Sequence, residues 1–222
     1  LFHGEHDPVP IKEQLGIPND MPLAATVARL EEEKGHRYLL EAIATLNLPL
    51  RLAIVGGGSL QGQLEQQAQE LGISERIHFL GTRHDLPEIL SAVDLFILPS
   101  LREGLPLALL EAMASGVPII ASAVGGVGPL LSSSQCGFAI PPANPIALAE
   151  AINQLLLDKE LQQKQGNAGK NWVKEHYSFT HMAESYVSLY RESIEAYGLQ
   201  KKSSIPSLLR KSLPSLLQKL PL

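Results

Sequence analysis

Short apolar runs alternate with amphipathic stretches along most of this chain. Residues 23–28, 51–55, 77–80, 95–98 and 117–121 are brief, aliphatic or β-branched, and bounded by glycine, proline or charge, which predicts five strands. Residues 137–140 make a weaker sixth. Between the runs the period changes. Leu60, Leu64, Ala68 and Leu71 fall on one helical face, as do Tyr38, Leu39, Ala42, Ile43 and Leu46. Asn144-Pro145 pairs a capping residue with proline at the first helical position, so a helix opens there and runs through Leu148, Ile152 and Leu155. Trp172, Tyr186, Leu189 and Tyr190 sit in two further helical stretches, the second opening after Ser178. Strands apolar on both faces and separated by helices predict an α/β, Rossmann-like fold: a parallel sheet covered on both sides. Ligands of such sheets bind at the carboxyl ends of the strands, in the loops that lead to helices.

Four of those loops carry chemistry. After the first strand come Arg29 and then Glu31-Glu32-Glu33-Lys34-Gly35. Two cations five residues apart around a strand–helix turn suit a diphosphate clamp. Taken alone, a solvated charged loop accounts for them better. The second strand ends in Val55-Gly56-Gly57-Gly58-Ser59, where backbone can approach a ligand and a helix start can receive an anion. A dinucleotide fingerprint would need glycine where Gln61 stands, and no acid follows Leu80-Gly81, which disfavours NAD. A tight turn without a ligand remains open. After the fourth strand, Pro99 to Met113 holds Glu103 just before a helix that Pro106 opens in its first turn, and Glu111 within it. Glu111 lies among Leu107, Leu109, Leu110 and Met113, and a carboxylate in such company needs partners. Ribose hydroxyls would serve, and so would Arg29 or Lys34.

Residues 20–190 resemble the C-terminal domain of glycosyltransferase family 4, which has the GT-B fold. The resemblance is carried by Arg29 with Lys34-Gly35, by Val55-Gly56-Gly57-Gly58, by Phe79-Leu80-Gly81, and by Glu103-Gly104-Leu105-Pro106 running on to Glu111-Ala112-Met113-Ala114-Ser115-Gly116-Val117-Pro118. Val124-Gly125-Gly126 completes the series. The two glutamates separated by seven residues are its most specific piece. The resemblance implies that Arg29 and Lys34 hold the diphosphate and stabilise the leaving nucleotide, and that Glu103 contacts the transferred sugar. It implies that Glu111 holds the ribose, that Gly104 and Leu105 present backbone N–H groups, that Gly56 and Gly57 line the donor cleft, and that Thr82 and Arg83 lie near the base. It further implies a retaining transferase with a nucleotide-sugar donor, and the donor expected here is a UDP- or GDP-hexose, UDP slightly favoured. No Asp-x-Asp sequence occurs, so neither a metal clamp nor a cofactor is expected. Two departures stand out: Ala28 where the family commonly has glycine, and Pro129 near where it commonly has glutamate.

Composition narrows the remaining classes. With 45% hydrophobic residues and 18% charged ones, 222 residues make one globular core and a short appendage. A net charge of −5 argues against a nucleic-acid partner. Residues 199–222 carry Lys201, Lys202, Arg210, Lys211 and Lys219 and no acid, leaving −10 on the rest. That tail reads first as a poorly ordered end, and second as a leucine-rich basic segment on an anionic membrane face. Cys136, without a second cysteine, fits a structural role in a reducing, cytoplasmic setting. His36, His78, His84, His176 and His181 read as surface or packing residues, and none has metal-ligand spacing.

The expected organisation is a linker remnant over 1–20, containing His3 and His6, a nucleotide-sugar-binding domain over 21–198, and the tail. A start without methionine fits a fragment that lacks its acceptor domain, or finds it on a partner chain. The acceptor, whether glycan, lipid or small molecule, is not encoded in these residues. Three classes stay open: a transferase whose donor half this is, a non-catalytic nucleotide-sugar-binding module, and a nucleotide-sugar epimerase of similar fold.

Overall fold

A computed structural model describes residues 9–196; the expectations for 1–8 and for the tail at 199–222 lie outside the described residues. The chain divides into two compact units, one ending at Tyr177 and the other beginning at Ser178. In the first, the order is α1 (Val9–Gln14), β1 (Leu23–Val27), α2 (His36–Thr45), β2 (Arg51–Val55), α3 (Gln61–Glu70), β3 (Ile77–Gly81), α4 (Leu86–Ala92), β4 (Leu95–Leu98), α5 (Leu107–Ala114), β5 (Ile119–Ser122), α6 (Val127–Ser134), β6 (Gly137–Ile140), α7 (Pro145–Leu157) and α8 (Lys159–His176). The second unit contributes α9 (Phe179–Ala196), whose opening Ser178 hydroxyl accepts the His181 N–H at 3.2 Å.

All six strands pair in parallel in the order β3-β2-β1-β4-β5-β6. Side chains of a strand alternate between faces, and β4 divides its burial accordingly. Leu95 and Ile97 pack with Leu39, Leu40 and Ile43 of α2, Leu64 of α3 and Leu148, Ile152 and Leu155 of α7. Phe96 and Leu98 pack on the opposite face with Leu90 of α4, Leu109 and Met113 of α5, and Val127 and Leu131 of α6. Cys136 is buried in this second layer, and burial pushes its thiol pKa up.

Three local departures from the sequence reading have simple causes. β5 begins at Ile119 rather than 117, because the Val117 N–H closes the end of α5 on the Ala112 carbonyl and Pro118 has no N–H to give. Pro106 is extended, at φ −74° and ψ 132°, and precedes the first turn of α5 instead of lying in it. Within the expected linker, Ile11, Lys12 and Ile17 are buried: α1 sets Ile11 beside Val55, Ile89 and Ala92. By contrast, Asn144 caps α7 as read, its side chain accepting the Ala147 N–H at 3.0 Å.

Candidate functional site

The strand order reverses direction between β1 and β4, and the crevice at their carboxyl ends is where a doubly wound sheet takes its ligands. The loops after these two strands meet there. The Leu101 N–H donates to the Glu33 carbonyl at 2.7 Å, tying one loop to the other. Lys34 Nζ donates to Glu103 Oε1 at 2.7 Å, and the Ser100 hydroxyl donates to the same oxygen at 2.8 Å. Both charged side chains are largely enclosed, with relative exposures of 17% for Lys34 and 7% for Glu103. Desolvating two ions offsets most of their attraction, so an enclosed pair of this kind adds little net stability.

The neighbouring loops are laced to the same crevice. After β1 the Ala28 and Leu30 N–H groups donate to the Val55 and Gly57 carbonyls, each at 3.0 Å. The Gly56 N–H donates to the Gly81 carbonyl at 2.8 Å, adding the end of β3. Glu31 accepts from the Ser59 N–H and hydroxyl at 3.1 and 2.8 Å, and these bonds hold its pKa below the usual carboxylate range. Gly56, at φ 132°, is required for a protein contact: a side chain there would collide with the Ala28 carbonyl oxygen. Gly125, at φ 52°, serves likewise, pressing the turn before α6 onto the Glu103 carbonyl, while the Gly126 N–H donates to the Gly104 carbonyl at 2.9 Å.

Other expected residues divide by what surrounds them. Gly104 faces open space, and Gly57 meets only the Thr82 hydroxyl, at the distance of ordinary contact. Leu105 is exposed. Arg83 donates to both oxygens of Asp85, so its guanidinium is already engaged. Arg29 and Lys34 have different partners, Glu33 and Glu103. Arg29 lies 70% exposed and pairs with Glu33 at 2.8 Å. Glu111 pairs with neither cation: half-buried on α5, it has no ion-pair partner among the described residues, and burial raises its pKa. Beside the β1–α2 loop, His36 is buried with neither ring nitrogen bonded among the described residues. Burial, helped by the nearby Lys34 charge, lowers its pKa to about 4, so the ring is neutral. A cavity of about 370 Å³ between α2 and α3 is lined by His36, Arg37, Gln63 and Gln67 among others, and includes none of Lys34, Glu103 and Glu111. The crevice carrying the charged pair is therefore the better candidate site.

Residues 10–172 match the family model of glycosyl transferases group 1. The chain belongs to that family. It is similar to a D-inositol 3-phosphate glycosyltransferase of Corynebacterium urealyticum, 35% identical over 195 residues that cover 81% of this chain and 45% of the relative. Among solved structures, sucrose-phosphate synthase of Thermosynechococcus elongatus superposes with a TM-score of 0.77 at 30% identity, over 86% of this chain and 50% of that one. Anabaena HepE in complex with UDP and glucose gives 0.77 at 25% identity, over 83% and 51%. The chain thus spans about half the length of the group 1 relatives it matches. Its sheet is the Rossmann-like half of a GT-B fold. Among the described residues, no helix is long and apolar enough to cross a membrane.

Two contacts of the Glu103 turn are not legible in the sequence pattern. Ser100 sits only three residues before Glu103, but its hydroxyl points to that carboxylate through the turn and not through any sequence motif. Gly125 was noted as part of the pattern. Its sequence gave no sign that the contact it permits is with the Glu103 backbone.

Proposed function

We propose that this chain is the donor-binding half of a retaining, metal-independent hexosyltransferase of family 4, and that its donor is a nucleotide-diphosphate hexose, UDP before GDP. The observation that carries the reading is the enclosed Lys34–Glu103 pair at the reversal of strand order. In glycosyl transfer, negative charge builds on the departing diphosphate while the sugar carbon becomes oxocarbenium-like. A fixed ammonium stabilises the first, and a fixed carboxylate can hold hydroxyls of the second. Lys34 takes the phosphate role and Glu103 the sugar role. Arg29, on its exposed loop, swings from Glu33 to the diphosphate. Glu111 suits the ribose, because a half-buried carboxylate without a partner gains two hydroxyl donors on binding. Gly104 and Leu105, both exposed, offer their N–H groups. Support for UDP comes from HepE, whose structure holds UDP and glucose. On this reading transfer requires an acceptor half besides, and the relatives are about twice as long as the region they share with this chain.

Calorimetric titration of the chain with UDP, GDP and ADP tests the reading, with an Arg29→Ala, Glu111→Ala double variant as comparison. Selective binding of UDP that the double variant loses is the expected result. Equal binding of all three nucleotides, or affinity unchanged in the variant, would overturn it.

A further inference from the structure

Resting on that reading, we propose that Ser100 is a positioning residue for donor selection: its hydroxyl holds Glu103 in place for the sugar when Lys34 turns to the diphosphate. Ser100 is wholly buried, two residues beyond the end of β4. Its hydroxyl and the Lys34 ammonium share one oxygen of Glu103, Oε1, at 2.8 and 2.7 Å. The other oxygen, Oε2, has no hydrogen-bond partner among the described residues. The main chain on either side is fixed as well. Leu101 is bonded to Glu33, and the Glu103–Gly104 backbone is backed by Gly125 and bonded by Gly126. The carboxylate therefore presents one occupied oxygen and one vacant acceptor from a rigid turn.

An incoming diphosphate carries more negative charge than Glu103 and competes for the same ammonium. Whatever share of Lys34 it takes, the carboxylate loses. Left without a donor, an enclosed carboxylate rotates toward solvent to recover hydrogen bonds. The Ser100 hydroxyl prevents this, because it cannot be drawn to the phosphate from its buried position. The consequence is selective. Losing this hydroxyl disturbs the carboxylate that reads the sugar, and leaves the cation that reads the diphosphate.

Calorimetric titration with UDP and with UDP-glucose separates these effects in the wild-type chain and in the Ser100→Ala, Glu103→Gln and doubly substituted variants. The expected result for Ser100→Ala is a loss of about tenfold for UDP-glucose, the value of one charge-assisted hydrogen bond, against a change within about twofold for UDP. Because the hydroxyl acts through Glu103, adding Ser100→Ala to Glu103→Gln should cost UDP-glucose affinity nothing further. Ser100→Cys, close in size and a weaker donor, should fall between wild type and Ser100→Ala, and it carries the test if the alanine variant does not fold. Equal loss for both ligands, or full additivity with Glu103→Gln, would overturn the role of Ser100. Unchanged UDP affinity in Lys34→Ala, or no binding of either ligand by the wild-type chain, would instead overturn the donor-half reading beneath it.

Discussion

The two ends of the sheet use buried charge differently. At the amino end, Lys12 donates to the Asn19 and Met21 carbonyls at 3.3 and 3.0 Å and to Asp94 at 3.4 Å, while Asp94 also accepts the Leu23 N–H at 2.9 Å. Nearby, Arg76 reaches the carbonyls of Ile43, Leu46, Leu48 and Leu50 and so closes the turn from α2 to β2. These three ions are satisfied by the chain itself. At the carboxyl end, Glu103 keeps one oxygen vacant and Glu111 has no ion partner. A domain that satisfies Lys12, Asp94 and Arg76 from its own chain at one edge and leaves two carboxylates short at the other is built to receive donors from outside at that other edge.

The comparison breaks first, and most heavily, at the amino end. Asp94→Ala leaves the buried Lys12 ammonium without its counter-ion and should destabilise the fold by about 3 kcal/mol, read by chemical denaturation. A loss under about 1 kcal/mol would mean that the two carbonyls alone satisfy Lys12.

His36 sharpens the contrast through pH. The unfolded ring titrates near 6.5 and the folded ring near 4, so the unfolded state takes the proton first. Stability is then full above about pH 6.5 and falls as pH drops toward 4, by at most about 3 kcal/mol. Denaturation at pH 7 and pH 5 should show the loss in the wild type, and a flatter dependence in His36→Leu. An identical slope in the variant would assign the acid sensitivity to other groups.

Glu111 gives the smallest change in stability. Glu111→Leu removes a half-buried carboxylate with no ion partner, so the fold should hold its stability or gain up to about 1 kcal/mol, while UDP binding weakens about tenfold. A clear loss of stability would show that Glu111 belongs to the structural set.

The strands were legible because five runs of aliphatic residues, each with a breaker at its end, leave little choice in a fully covered sheet. The Asn144-Pro145 cap was legible for a similar reason: its signal is local. Side-chain partners were not. Nothing in the order of residues tells that Lys34 bonds Glu103, 69 positions away, while Arg29 bonds Glu33 one turn on. Gly56 and Gly57 look alike in sequence, yet the first is pressed on the Ala28 carbonyl and the second is nearly free, because only the fold decides which faces protein. The packed α1 was within reach: Ile11 and Leu15 are four apart, the spacing of one helical face, in a segment read as linker.

The most direct test of the claim that the carboxyl edge is the binding edge is calorimetric titration of UDP into the wild-type chain, Lys34→Ala and Asp94→Ala, each at a temperature where it is folded. The account predicts that Lys34→Ala loses about tenfold or more in affinity, the value of a charge-assisted phosphate contact, while Asp94→Ala binds as the wild type does. Unchanged affinity in Lys34→Ala, or an equal loss in both variants, would contradict it.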